Sequence, residues 1–292
     1  WGEKAEIPKV SILVSPNAET NFLKLLSGEI NFLTEIDSKR LEELKEFTIA
    51  SGPRNLCLIL ALNNQEKPFD DVEVRKAIDL AIDKEKIVQL AMNGHGTVIE
   101  TNMSPVMKKF LWEEKGEKAN PARAKEILEK RGLLPMHFTI KVPNSSKMYL
   151  DTAQALREQL KEAGIQVDLE TIEWASWLSD VYTNRKYVAS LAGLSGKMEP
   201  DAILRRYTST YKKNFTNFHN DNYDKLVAEA KLSADEKVQI HNYKEAEKIL
   251  REEQAAIFLM DPDSIIAMEK GLEGFEFYPL PYLNFAKLRF KK

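Results

Sequence analysis

The sequence has a single cysteine, Cys57, so no disulfide can close within the chain and no thiolate cluster can hold a metal. Its neighbours Leu56, Leu58, Ile59 and Leu60 are aliphatic, which fits a small buried hydrophobe and not a nucleophile, because a reactive thiolate needs accessible, electropositive surroundings. Glycine and proline are sparse, 12 of each in 292 residues, and this excludes collagen-like and low-complexity disordered chains. Neither sign of charge dominates. The 42 Lys plus Arg against 45 Asp plus Glu leave a net charge of −3, without the basic excess of a general nucleic-acid binder. Uncharged runs such as residues 55–65 fall well short of the about 20 apolar residues that a membrane-crossing helix requires. His95, His137, His219 and His241 are scattered, with no HExxH and no i, i+4 pair, so a zinc hydrolase is not expected. GxSxG, GxGxxG and GxxxxGK[ST] are missing as well, and with them the nucleophile elbow and the common phosphate cradles. The expectation is therefore no enzyme and no cofactor.

What is present is an ordinary globular composition, 43% hydrophobic and 30% charged, in a chain long enough for one large domain or two lobes. Residues 9–14, 21–26 and 30–36 read as strand, helix, strand, which implies a parallel pair with a right-handed crossover. A helix from Asp37 to about Phe47 follows, and Gly52-Pro53 breaks the chain ahead of a continuously apolar strand at 55–62. Such a strand belongs in a sheet centre covered on both faces. Helices are predicted at 72–83, 84–92 and 120–130. A second strand, helix, strand unit covers 138–142, 148–163 and 165–172, and a short helix at 174–183 and a strand at 188–191 come next. Helices at 222–231 and 234–253, a strand at 256–260 and an extended aromatic tail complete the pattern, with Pro279 and Pro281 keeping the tail out of a sheet centre. Charged runs such as Glu42-Glu43 and Arg251-Glu252-Glu253 read as solvated helix faces. The stretch 192–200 reads as a loop in which two glycines directly after a buried strand let backbone groups approach a ligand, the usual place for a site in an open α/β sheet. The chain opens at Trp1-Gly2-Glu3-Lys4 without an initiator Met or an apolar leader, so it is expected to be processed or excised from something longer.

Several ordered motifs then become specific. Lys67-Pro68-Phe69-Asp70-Asp71-Val72-Glu73-Val74-Arg75-Lys76-Ala77, with Ala81-Ile82-Asp83-Lys84 and Asn93-Gly94-His95-Gly96-Thr97, resembles the PFdDvrVRqAi…AIDr…nGyGt signature of family 5 solute-binding proteins of ABC transporters, the oligopeptide-, dipeptide- and nickel-binding class. Ser27-Gly28-Glu29-Ile30-Asn31, residues 120–133 and the stretch from Asn214-Phe215 to Asn222-Tyr223-Asp224-Lys225-Leu226 are similar to further motifs of that family. In the signature, Asp70 or Asp71 is expected to cap the helix, Arg75 to pair with a carboxylate such as Asp79, and Phe69 to anchor the crossover between lobes.

The resemblance implies a periplasmic-binding-protein-like (type II) α/β fold of two lobes, here lacking its N-terminal part. Lobe one would comprise 1–66 and the return 276–292, and lobe two 67–275. It implies a substrate-capturing component of an ABC importer, a monomer that encloses a peptide, metal chelate or other peptide-sized solute between its lobes and delivers it to a membrane permease. The protein would be extracytoplasmic, periplasmic or lipid-anchored, with its signal outside this segment, and would make no nucleic-acid contact. Two alternatives are a ligand-sensing domain of a cytoplasmic regulator on the same fold, and a degenerate member that binds a partner protein. Peptide binders of the class carry a loop like GW..D..[DE]P, whose Trp flanks the ligand and whose Asp pairs with its amino terminus. Aligning Glu199-Pro200 with the end of that motif puts Gly193 at the Trp position and Gly196 at the Asp position, so both side chains are missing. The expected ligand-binding residues are Asn63, Gly193, Leu194, Ser195, Gly196, Lys197 and Tyr211, with Lys197 favouring an anionic group and Tyr207 a further candidate to face the cleft.

Overall fold

The computed structural model describes residues 4–15 and 17–291. The chain divides into two compact units, Trp1–Arg54 with Asp263–Lys292, and Asn55–Pro262. The expected lobe boundaries, after residues 66 and 275, lie about a dozen residues beyond these points. Both observed points fall where a strand of the larger unit begins or a long strand passes from one unit into the other.

In the smaller unit α1 (Ala18–Leu26) starts at Asn17, whose side chain accepts from Thr20 N at 2.8 Å, an ordinary N-cap. β1 (Phe32–Leu33), a 3-10 turn at Ser38–Leu44 capped by Asp37, and β2 (Phe47–Pro53) follow. The larger unit begins with β3 (Leu56–Leu62), then α2 (Val72–Leu80), α3 (Lys84–Met92), β4 (Gly96–Val98), α4 (Pro121–Lys130), β5 (Met136–Pro143), α5 (Lys147–Glu162) and β6 (Ile165–Ile172). Next come α6 (Trp174–Trp177), β7 (Ala189–Ser195), α7 (Pro200–Leu204), α8 (Asp221–Leu232) and α9 (Glu236–Glu252). β8 (Ile257–Glu269) belongs to the larger unit up to Pro262 and to the smaller from Asp263, which also holds β9 (Leu272–Glu273) and β10 (Arg289–Phe290).

The sheet of the larger unit runs β4, β8, β3, β7, β5, β6. β3 is its centre, and residues 57–62 are all buried. Leu58, Leu60 and Leu62 pack into one core with Phe69, Val74, Ile78 and Leu156, while Cys57, Ile59 and Ala61 pack into another with Tyr207, Tyr223 and Leu250. A strand covered on both faces needs apolar residues at every position, as the sequence has here. Phe69 meets Phe138 edge-on at 5.1 Å within the first core. β5 is parallel to β6 along its length and parallel to β7 at Ile140↔Ala189 and Lys141↔Ser190, whereas β3 is antiparallel to β7 from Leu56↔Ser195 to Leu62↔Ala189. The carboxyl ends of β5, β6 and β7 therefore share one edge with the amino end of β3.

The second strand, helix, strand unit is present as β5, α5 and β6. The first is not. No ladder forms at residues 9–14 among the described residues, and β1 and β2 both pair antiparallel with the distant β8. Where a helix was expected to about Phe47, the helical turn ends at Leu44 and β2 follows. Asp71 caps α2 by accepting from Glu73 N at 2.8 Å. Arg75 does not pair with Asp79. Its buried guanidinium donates to three carbonyls instead, Phe69 O at 2.8 Å, Glu253 O at 2.7 Å and Gln254 O at 2.9 Å, because these lie just before α2 and just after α9, where carbonyls lack helical or ladder partners. Asp79 turns to Lys84 (3.2 Å) and Arg251 (2.9 Å), and both of these cations also meet Glu100, at 2.7 and 3.1 Å. Arg251, expected on a solvated face, is thus part of a closed ring of four ion pairs with its side chain only 14% exposed.

Candidate ligand-binding site

β7 passes through the core as Ala189–Ala192 and emerges as Gly193, Leu194 and Ser195. The strand thus continues four residues, 192–195, into the stretch expected to be a loop, because β3 keeps pairing with it to Leu56↔Ser195. On its other side β5 pairs only with Ala189 and Ser190, and from Leu191 to Ser195 no strand of the described residues pairs on that edge. An unpaired strand edge offers alternating N–H and C=O groups to any extended polypeptide that arrives.

The glycines shape this end. A Cβ on Gly193 would stand 2.4 Å from Tyr149 Oη, and one on Gly196 would stand 1.6 Å from Asn55 Oδ1. Gly196 N also donates to Asn55 O at 2.7 Å. Asn55 itself takes the left-handed conformation, φ 55°, and is buried, a backbone state that Asn tolerates. Arg206 Nη2 donates to Ser195 O at 2.6 Å, and Lys197 beyond it is exposed. The carboxylate of Asp261 accepts from Leu56 N at 3.1 Å and from Ser104 Oγ, and it is buried beneath this edge.

Across β5, the end of β6 leads into an aromatic platform. Trp174 stacks on Trp177 at 4.9 Å with 3° between the rings, and Trp177 Nε1 donates to Ser190 Oγ of β7 at 2.9 Å. Trp177 is buried and Trp174 is 41% exposed, so one indole anchors the other as a solvent-facing apolar surface. Glu173 beside it accepts from Asn144 Nδ2 at 2.6 Å.

The expected residues are thus only partly brought together. Gly193, Leu194, Ser195, Gly196 and Lys197 share the carboxyl end of β7. Asn63 lies at the opposite end of β3, where it donates to Tyr187 O (3.1 Å) and accepts from Gln65 N (3.2 Å) and Asn217 Nδ2 (2.8 Å). It is buried and closes the chain around Tyr187, with no capacity left for a ligand at the other end. Tyr211 is half-buried, with the Arg205 guanidinium 5.7 Å from its ring, and Tyr207 is a core residue against Phe258. Burial pushes the Cys57 thiol up, away from reactivity. Tyr149, Asn55 and Trp174 were not predicted. A Trp174/Trp177 pair three apart directly after a strand was the available signal for the platform, whereas Asn55 and Tyr149 reach the site only through pairing and packing with distant segments.

Elsewhere in the larger unit, a cavity of about 730 Å³ lined by Asp79, Trp112, Gly116 and Arg251 lies against the ion-pair ring and includes none of the residues at the end of β7. Among the described residues no group of three or more His, Cys, Asp or Glu could hold a metal ion, and no helix is long and apolar enough to cross a membrane.

Residues 1–215 match the family described as bacterial extracellular solute-binding proteins, family 5 (middle). The chain belongs to this family. Among its family 5 relatives, the oligopeptide-binding protein AppA of Bacillus subtilis is 29% identical over 291 residues, covering 92% of this chain and 53% of AppA. The solved structure of AppA in complex with a nonapeptide superposes with a TM-score of 0.83 at 26% identity, covering 96% of this chain and 60% of that one. The periplasmic binding protein DppA of Helicobacter pylori, solved with the peptide STSA, shares the fold with a TM-score of 0.87 at 24% identity, over 100% of this chain and 59% of DppA. The α/β fold is therefore the type II fold of periplasmic peptide-binding proteins. The chain spans about half the length of the curated relatives it matches. Family 5 is a family of binding proteins, and nothing in these comparisons supports the regulator reading.

Proposed function

We propose that this chain is the ligand-contacting part of the solute-binding component of an ABC importer, which captures an extended peptide or a solute of similar size outside the cytoplasm and hands it to a membrane permease. The observation that carries the reading is the emergent edge of β7 from Gly193 to Ser195, unpaired on the side away from β3 among the described residues, at the carboxyl end of the sheet. Peptide backbone bound there continues the sheet by strand addition, which is insensitive to side-chain identity. The exposed face of Trp174, stacked on the Trp177 that bonds Ser190 of β7, takes an apolar side chain of the ligand. The peptide complexes of AppA and DppA support the same class of ligand. On this reading the protein acts in the periplasm or tethered at the cell surface, as a monomer.

The test is native mass spectrometry of the full-length protein purified without refolding. A discrete co-purified mass that fragments as a peptide is the expected result. A clean unliganded mass that persists after addition of di- to nonapeptide pools would overturn the peptide reading in favour of a member that binds a partner protein.

A further inference from the structure

Charge is unevenly spread along this chain. Residues 182–213 hold seven cations against two carboxylates, Glu199 and Asp201, a net +5 in a chain whose total is −3, so the remainder carries −8. The fold gathers those cations along one flank of β7. Arg185 has a left-handed backbone, φ 55°, and its guanidinium donates to Lys212 O at 2.6 Å and to Asn214 O at 3.3 Å, which ties residues 212–214 to the chain entering β7. The Arg205 guanidinium stands 5.7 Å from the Tyr211 ring, and Arg206 donates to Ser195 O at 2.6 Å at the far end of the same strand. Tyr182, half-buried, lies in the field of both Arg185 and Arg206 and so links the two ends. The result is a basic stripe from Lys197 to Lys186 along the 7 residues of β7, a length of roughly 20 Å.

The two arginines at its ends are held by carbonyls and keep their charge. Lys186, Lys197, Lys212 and Lys213 are exposed, and none forms an ion pair among the described residues. Of the carboxylates nearby, Asp201 meets Arg205 and Lys231, each at 3.9 Å, Glu199 is exposed beyond the strand end, and Asp180 is half-buried close to Lys186, whose N donates to Asp180 O at 2.7 Å. Four free ammonium groups on flexible stems, spread over a strand's length and outside the 730 Å³ cavity, do not converge on one anion as a fixed clamp does. They suit an extended array of negative charge. Met198, 46% exposed beside Lys197, adds an apolar contact.

We infer that this stripe is a docking surface for an anionic lipid bilayer, holding the larger unit against headgroup phosphates along the flank of β7. The inference rests on the proposed function only for placing the protein at the outer face of a membrane, and it does not require the ligand to be a peptide. Lipid headgroups move laterally and so adjust to unpaired, flexible lysines, whereas a protein partner would have to offer carboxylates at fixed spacing. Each basic side chain brought to an anionic bilayer strengthens binding about fivefold. The −8 on the remainder is repelled by the same surface, so the asymmetry that attracts the stripe also turns the other faces away.

The experiment is co-sedimentation of the full-length protein with vesicles of phosphatidylcholine alone and with vesicles of phosphatidylcholine and phosphatidylglycerol in equal parts. Comparing the two cancels any binding that does not depend on charge. The expected result is binding to the anionic vesicles at least about tenfold tighter than to the neutral ones. It should be lost between about 0.1 M and about 1 M salt, as the screening length falls from about 10 to about 3 Å. The triple variant Lys186→Gln, Lys212→Gln, Lys213→Gln should lose at least about tenfold of that affinity. Lys118→Gln, Lys130→Gln, Lys161→Gln removes the same charge from exposed sites elsewhere and should stay within about threefold of wild type. Equal affinity of the wild-type protein for both vesicles would overturn the inference in favour of a protein partner. Equal losses in the two variants would overturn it as well, since net charge and not this face would then be the attraction. Neither outcome touches the peptide reading, which the co-purified mass decides.

Discussion

Glu247 is the residue whose chemistry is most at odds with its surroundings. It sits on α9 with 0% exposure, accepting from Thr101 Oγ1 at 2.6 Å and Trp112 N at 3.1 Å through a single oxygen, while Oε1 is buried without a partner. Burial outweighs those two bonds and the field of Lys244, raising the carboxyl from 4.5 to about 8. Cys57 and Tyr223, which also feel Glu247, are neutral in this range, since burial raises both. A folded pKa above the unfolded one means that the native state keeps a proton which the unfolded chain has released. Stability on this account is therefore full below about pH 4.5 and falls as pH rises, levelling off above about 8. The loss amounts to a few kcal/mol, on the order of 1.4 kcal/mol per unit. Glu247→Gln keeps the shape and the acceptor but cannot ionise. Thermal melting between about pH 5 and pH 9 should show the variant equal to or below wild type at the acid end and clearly above it at the alkaline end. Two curves that stay parallel across the range would show that Glu247 ionises as freely in the fold as out of it.

At the scale of elements, α2, α3, α9 and the chain after β4 are tied by the ring of Asp79, Lys84, Arg251 and Glu100, with side-chain exposures of 8 to 19%. A Cβ on Gly116 would meet Glu100 Oε2 at 2.6 Å and Arg251 Nη2 at 2.8 Å, so the irregular stretch around it lies directly on the ring. Arg251→Met leaves two covered carboxylates sharing one ammonium, which costs about 3–5 kcal/mol. Lys76→Ala, which removes the exposed Lys76–Glu73 pair, should cost under about 0.5 kcal/mol. Urea denaturation separates the two, and similar costs would mean that the ring contributes no more than a surface pair.

The ring was not legible in the sequence, because its members are spread from residue 79 to 251 and only their local patterns can be read. The second strand, helix, strand unit was legible for the opposite reason. Its apolar periods and its helix cap, Ser146 for α5, are local. Residues 9–14 carry the same kind of strand pattern, but strand formation needs a partner, and β8 pairs with β1 and β2 instead. The site divides in the same way. Its glycine-bearing strand end could be read from the order of residues. Asn55 could not, since its approach to Gly196 depends on the register Leu56↔Ser195.

Across the whole molecule, apolar burial is unevenly shared. The larger unit has a core on each face of β3. The smaller has two modest clusters, Phe22, Leu25, Ile36 and Leu44 with Ile265 and Ala267, and Ile266 and Met268 with Leu272 and Leu288. It also carries the most exposed apolar side chains of the extended segments, Ile12 at 72%, Val14 at 95% and Tyr282 at 57%. Local opening costs least where buried apolar contact is least, so the two units should open with different free energies. β8 gives the sharpest test, since one continuous strand runs through both. Its residues Ile257–Met260 pair with β3 at 0% exposure, while Asp263–Glu269 pair with β2, an exposed partner with its other edge free of any strand among the described residues. Hydrogen exchange on this chain should therefore show a step within β8, with amides before Pro262 protected as strongly as those of β3 and β7, and those after it exchanging at least about tenfold faster. Uniform protection along β8 would mean that the smaller unit opens only together with the larger, and that the strand transmits the stability of the β3 core to residues whose own packing does not supply it.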